Sequence, residues 1–165
     1  MDGDRLRELL DSNSVKLKQR KMCYAVFIAT PAPLQTVEFI PAVTKLYLRL
    51  PNEKEMAGLG DKFTMPYIYY VGSDSKCSCG FQFYSWRFDD PEWQDKSSPS
   101  ALLNLLNQLT ISDDVEYYCC WDGDWNELIE STRVLNSHKI TLENNYFELV
   151  EREHIRFERM KSAVK

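Results

Sequence analysis

The chain is poor in the residues from which most catalytic sets are assembled. Only two histidines occur in 165 residues. His138 and His154 both stand in polar, charged stretches distant from the cysteines, so no triad of nucleophile, base and orienting acid is legible. Glycine is scarce too, with six in all, and neither a Walker-type phosphate loop nor a nucleophile elbow is present. Gly72-Ser73 leads toward a hairpin instead of opening a helix. Positive charge is in deficit, 20 Lys and Arg against 25 Asp and Glu, for a formal net charge of -5. The basic residues are spread thinly except over residues 16–21, which read as a solvated lead-in to the first strand. A surface for nucleic acid, which needs a positive stripe to displace phosphate counterions, is therefore excluded.

Long apolar runs are missing as well. The longest covers residues 23–29, far too short to cross a bilayer, and the acidic start Met1-Asp2-Gly3-Asp4-Arg5 is followed by no secretory core. The expectation is a cytoplasmic protein with no membrane partner. Five cysteines is an odd number, and in a reducing compartment they are expected as free thiols or ligands, not as a disulfide framework.

What the chain has in quantity is aromatic and aliphatic bulk: 44% hydrophobic, with 9 Tyr, 8 Phe and 4 Trp. Flat and β-branched side chains fill pleated surfaces, which points to a core built on a sheet. The expected fold is α+β: a single domain with a mixed, largely antiparallel sheet of about five strands and two or three packed helices. Residues 1–21 would form an N-terminal helix, with Leu6, Leu9 and Leu10 on one face of residues 4–11, and a basic lead-in. Residues 22–160 would form the domain, and 161–165 a tail. Strands are expected at 23–30, 46–50, 67–71, 81–88 and 115–121. Residues 52–66 read as loop with one turn of helix near Glu53. The clearest helix has Ser98 as cap, Pro99 at its first position and Leu102, Leu105, Leu106 and Leu109 as its apolar stripe. A short helix is expected from Asp124 to Ser131. Residues 146–160 fit a strand somewhat better than a helix.

One loop stands out. Gly72-Ser73-Asp74-Ser75-Lys76 runs from an aromatic stretch into Cys77-Ser78-Cys79-Gly80-Phe81. If the flanking runs pair as a hairpin, Gly72, Ser73, Ser75, Lys76, Cys77, Cys79 and Gly80 line its tip as a candidate ligand site. Turned-in backbone N–H groups there would hold an anion. Two thiols one residue apart can also share a metal ion, with zinc the ordinary choice, or cycle between thiol and disulfide. Lys76 is the adjacent positive group.

For a metal set, Cys119-Cys120 offers further sulfur, but alternate residues of a strand face opposite ways. Cys119, sharing a face with Val115 and Tyr117, is the expected third ligand, and Cys120 the more exposed thiol. A fourth would come from Cys23, another protein donor or water. Whether strand 115–121 approaches the loop depends on its direction. Asp122, Asp124 and Asn126 mimic calcium ligands, but Glu127 and Arg133 stand where such a loop needs Gly and Glu. Trp86, Trp93 and Trp125 are candidates for a surface that meets a protein partner or a second copy.

The succession Met22-Cys23-Tyr24-Ala25-Val26-Phe27-Ile28-Ala29-Thr30, Tyr69-Tyr70-Val71-Gly72-Ser73, Cys77-Ser78-Cys79-Gly80-Phe81 and Tyr118-Cys119-Cys120-Trp121 resembles a group of small uncharacterised bacterial proteins. The resemblance spans residues 22–158. It implies a shared fold around the thiol loop and carries over no catalytic residue. The function expected is thus a non-catalytic binding or interaction domain with the Gly/Ser/Cys loop as its ligand site. The alternative is a thiol-dependent metal or redox protein centred on Cys77 and Cys79.

Overall fold

A computed structural model describes residues 22–93 and 95–162. The expected N-terminal helix and the basic run at 16–21 lie outside the described residues, as does the end of the tail. Six strands form one sheet: β1 (Tyr24–Thr30), β2 (Leu46–Arg49), β3 (Tyr67–Ser73), β4 (Val115–Trp121), β5 (Ser131–Leu135) and β6 (Glu153–Phe157). Their order is β2-β3-β1-β4-β6-β5, and every neighbouring pair is antiparallel except β5 with β6. Among the described residues two α-helices, α1 (Glu53–Leu59) and α2 (Ser97–Leu109), complete an α+β domain. No described helix is long and apolar enough to cross a membrane.

The sheet is covered on both faces, which explains why β1 is apolar at nearly every position. Val26, Ile28, Val71, Val115, Tyr117 and Cys119 share one core with Leu102, Leu103 and Leu106 of α2. Ala25, Phe27, Tyr70, Tyr118 and Cys120 point the other way, onto Leu59 of α1. Both Cys119 and Cys120 are fully buried, so Cys120 is not the exposed thiol that strand alternation alone suggests.

Residues 81–88 correct another expectation. They do not pair with β3, whose neighbours are β1 and β2; they bend through short 3-10 turns at Ser78–Phe81 and Ser85–Arg87. The alternation is real, since Phe81 and Phe83 are buried, but side chains do the pairing. Gln82 accepts from Leu149 N at 2.8 Å, the Tyr146 hydroxyl donates to Phe81 O at 2.8 Å, and Ser85 Oγ accepts from Tyr146 N. The Cys loop is consequently no hairpin tip.

Smaller differences have local causes. Helix α2 starts at Ser97 with Lys96 at its N-cap position, because the Ser98 hydroxyl is engaged elsewhere, donating to Lys45 O and accepting from Asp74 N. The helix near Glu53 extends to Leu59, closed at its start by a capping box in which Asn52 and Glu55 exchange hydrogen bonds. After Asp124 only one turn forms, Glu127 N to Asp124 O. The chain then enters β5, an unexpected strand, where Arg133 pairs with the buried Glu153 of β6.

Candidate thiol site

Strands β1 and β3 are antiparallel, so the start of β1 lies beside the end of β3. That adjacency builds the site. In an antiparallel strand the N–H groups of alternate residues point to the same neighbour. Toward β3, past the last register pair Val26–Val71, β1 presents the N–H groups of Val26 and Tyr24, and the Cys loop satisfies both. Ser78 Oγ accepts from Val26 N at 2.8 Å and donates to Val71 O at 2.6 Å, standing between the two strands. Cys79 Sγ accepts from Tyr24 N at 3.2 Å.

The turn preceding the thiols is closed around one buried hydroxyl. Ser73 Oγ donates to Cys77 O at 2.6 Å and accepts from Gly80 N at 3.0 Å and Ser75 N at 3.3 Å. Ser73 N donates to Cys77 O and Lys76 N to Ser73 O. The N–H of Asp74 goes to Ser98 Oγ. With the donors of residues 73–76 and 80 all spent inside the protein, the loop is not the anion cradle its composition suggests. Its glycines serve packing instead. A Cβ on Gly72 would stand 2.0 Å from the Tyr47 ring, and one on Gly80 would stand 2.4 Å from Ser73 Oγ.

The same closure gathers sulfur. The Sγ atoms of Cys23, Cys77 and Cys79 all lie within 4.8 Å of one another, and each residue is half-buried. Cys119 is not among them; it sits in the α2-side core. Cys23, one residue before β1, stands as the third sulfur where strand alternation points to Cys119. Lys76 also departs from expectation. Its backbone adopts φ +67°, its carbonyl accepts from the Tyr47 hydroxyl, and its ammonium lies 5.5 Å from the centre of the Phe39 ring.

The three thiols titrate as one set. Hydrogen bonding from Cys79 draws the Cys77 thiol down to about 5 against the opposing effect of burial, with help from the Ser75 hydroxyl, 3.4 Å from the sulfur, and from Cys23. Cys79 and Cys23 move up, each first because its hydrogen bond is made to Cys77 and then because of burial. Burial pushes Cys119 up, and pushes Cys120 up to about 12, so neither supplies a ready thiolate. A cleft of about 350 Å³, lined by Asp74, Cys79, Gly80, Gln82, Trp93, Asp95 and Ser98, adjoins the loop.

The three tryptophans do not make one surface. Trp93 packs on the α2 side of the sheet and Trp125 on the α1 side. Trp86, 79% exposed, stands next to Tyr84 and Arg87. Comparison with family models, with curated proteins and with solved structures finds no match to this chain.

Proposed function

We propose that the protein is a non-catalytic, thiol-dependent binder of a soft ion, held by Cys23, Cys77 and Cys79 in a reducing, cytoplasmic setting. The observation that carries this reading is the convergence of three sulfurs, from segments 54 and 56 residues apart in sequence, within 4.8 Å of one another. Thiolate sulfur selects thiophilic ions over magnesium or calcium. Around a zinc-sized ion, with bonds of about 2.3 Å, the sulfurs would close to roughly 3.8 Å. The early first proton loss of the set supports binding at neutral pH, because an ion must otherwise displace that proton. The N–H of Tyr24 on Cys79 and the Ser75 hydroxyl by Cys77 would stabilise sulfur that carries charge.

Cadmium is a convenient probe because its thiolate bonds absorb in the ultraviolet. Titration of reduced, metal-free protein is expected to raise that charge-transfer band to an endpoint of one cadmium per chain. Cys23→Ser, Cys77→Ser and Cys79→Ser should each lower the endpoint absorbance, whereas Cys119→Ala should not. A band absent from the parent protein, or unchanged in all three Ser variants, would refute the proposal.

A further inference from the structure

Three sulfurs are a full donor set only for an ion that three donors satisfy. Zinc in structural protein sites takes four almost without exception. Among the described residues no fourth Cys, His, Asp or Glu atom joins the group within 4.8 Å. The hydroxyl beside Cys77, Ser75 Oγ, is shared with Ser73 Oγ and Cys77 O at 2.9 and 3.4 Å.

Charge narrows the choice. Three thiolates leave two negative charges uncompensated around a monovalent ion, one around a divalent ion and none around a trivalent one. Among the described residues, the charged groups placed beside the loop are acidic and do not offset it. Asp122 donates its backbone N–H to Cys23 O at 2.7 Å, which brings an acidic residue alongside. A Cβ on Gly80 would stand 2.5 Å from Asp74 Oδ1. The Lys76 ammonium is directed to Phe39. An uncompensated charge in a partly buried site is costly, so a neutral complex is favoured.

We infer that Cys23, Cys77 and Cys79 form a three-thiolate site for a trivalent metalloid of the arsenic(III) class. This deepens the soft-ion reading and rests on it. Arsenous acid, As(OH)3, exchanges its three As–O bonds for three As–S bonds. Each thiol proton leaves with one hydroxyl as water, so three waters are released and arsenic stays trivalent throughout. The arsenic lone pair then occupies the side on which zinc would need a fourth donor. The cleft bordered by Cys79 and Gly80 gives a small neutral acid a way in.

The test mixes the full-length reduced protein with sodium arsenite in the absence of oxygen, with zinc as competitor. Expected are one arsenic per chain by native mass spectrometry, loss of three titratable thiols, and retention of arsenic in about tenfold excess zinc. Cys23→Ser, checked for folding by circular dichroism, should bind arsenite weaker by on the order of 100-fold. Should that variant not fold, the thiol count of the parent protein decides. Consumption of only two thiols, or displacement of arsenic by equimolar zinc, overturns the arsenic assignment. Cadmium binding that persists in that case keeps the soft-ion reading alive, while failure of arsenite and cadmium alike ends both.

Discussion

At the scale of single residues, the cysteines differ by environment. Cys119 and Cys120 are held neutral in two hydrophobic cores, and Cys77 is surrounded by donors that favour its ionised form. Reactivity follows the thiolate, so pH dependence separates them. An ordinary thiol titrates near about 8.5, and its alkylation slows steadily from pH 9 downward. Cys77, deprotonated above about 5, should keep a nearly constant alkylation rate from pH 8 to pH 6 and lose it only as the pH falls through about 5. Iodoacetamide labelling of ion-free protein, read by peptide mass, checks this. A Cys77 rate still climbing between pH 7 and pH 9 would contradict the assignment. That Cys77 and Cys79 stand together was legible from their spacing. Cys23 was one of several open choices for a fourth donor, and the sequence could not select it as the third, because a lone cysteine before an apolar run carries no signal of its partners.

At the scale of elements, the seam between β1 and β3 is the instructive feature. The strands pair regularly up to Val26 and Val71 and then part, and the Ser78 hydroxyl fills the opening with one hydrogen bond to each. Ser78→Ala would strand a buried N–H and a buried carbonyl, at about 1–3 kcal/mol for each group left without a partner. A loss of about 2–6 kcal/mol in urea unfolding is expected, and a loss below about 0.5 kcal/mol would show that the seam closes without the hydroxyl. Apolar patterning made β1, β2, β4 and α2 readable. It failed for residues 81–88 because alternating burial says that side chains face a core, not that backbone groups pair. It failed for β5 because an edge strand with exposed Thr132, Arg133 and Val134 lacks the apolar face that marks a strand. The buried Glu116 was equally hidden. Its carboxylate accepts from Thr64 N, Thr64 Oγ1 and Met65 N, tying the loop before β3 to β4.

At the scale of the whole molecule, the thiol set joins the start of β1 to the end of β3, segments distant in sequence. An ion that binds only this folded arrangement stabilises it by mass action, about 2.7 kcal/mol at 100 times its dissociation constant. For a chain of 165 residues that corresponds to a rise in Tm of roughly 5–10 °C. Thermal unfolding of the reduced protein with saturating cadmium should display the rise, a chelator should reverse it, and Cys23→Ser should show little of it. An equal shift in that variant would place the ion elsewhere.

Composition and patterning by themselves determined an α+β domain, an apolar central strand, a leucine-striped helix and a thiol-bearing loop, because burial periodicity and turn chemistry are local properties. The tertiary structure alone decided which strands are neighbours. With β3 antiparallel to β1, the loop after one meets the first residues of the other. That pairing replaces Cys119 by Cys23, spends the loop's N–H groups internally and turns a two-thiol motif into a three-sulfur site. No local rule contains this result, since hydrogen bonding between strands depends on where the chain returns and not on what each strand is made of.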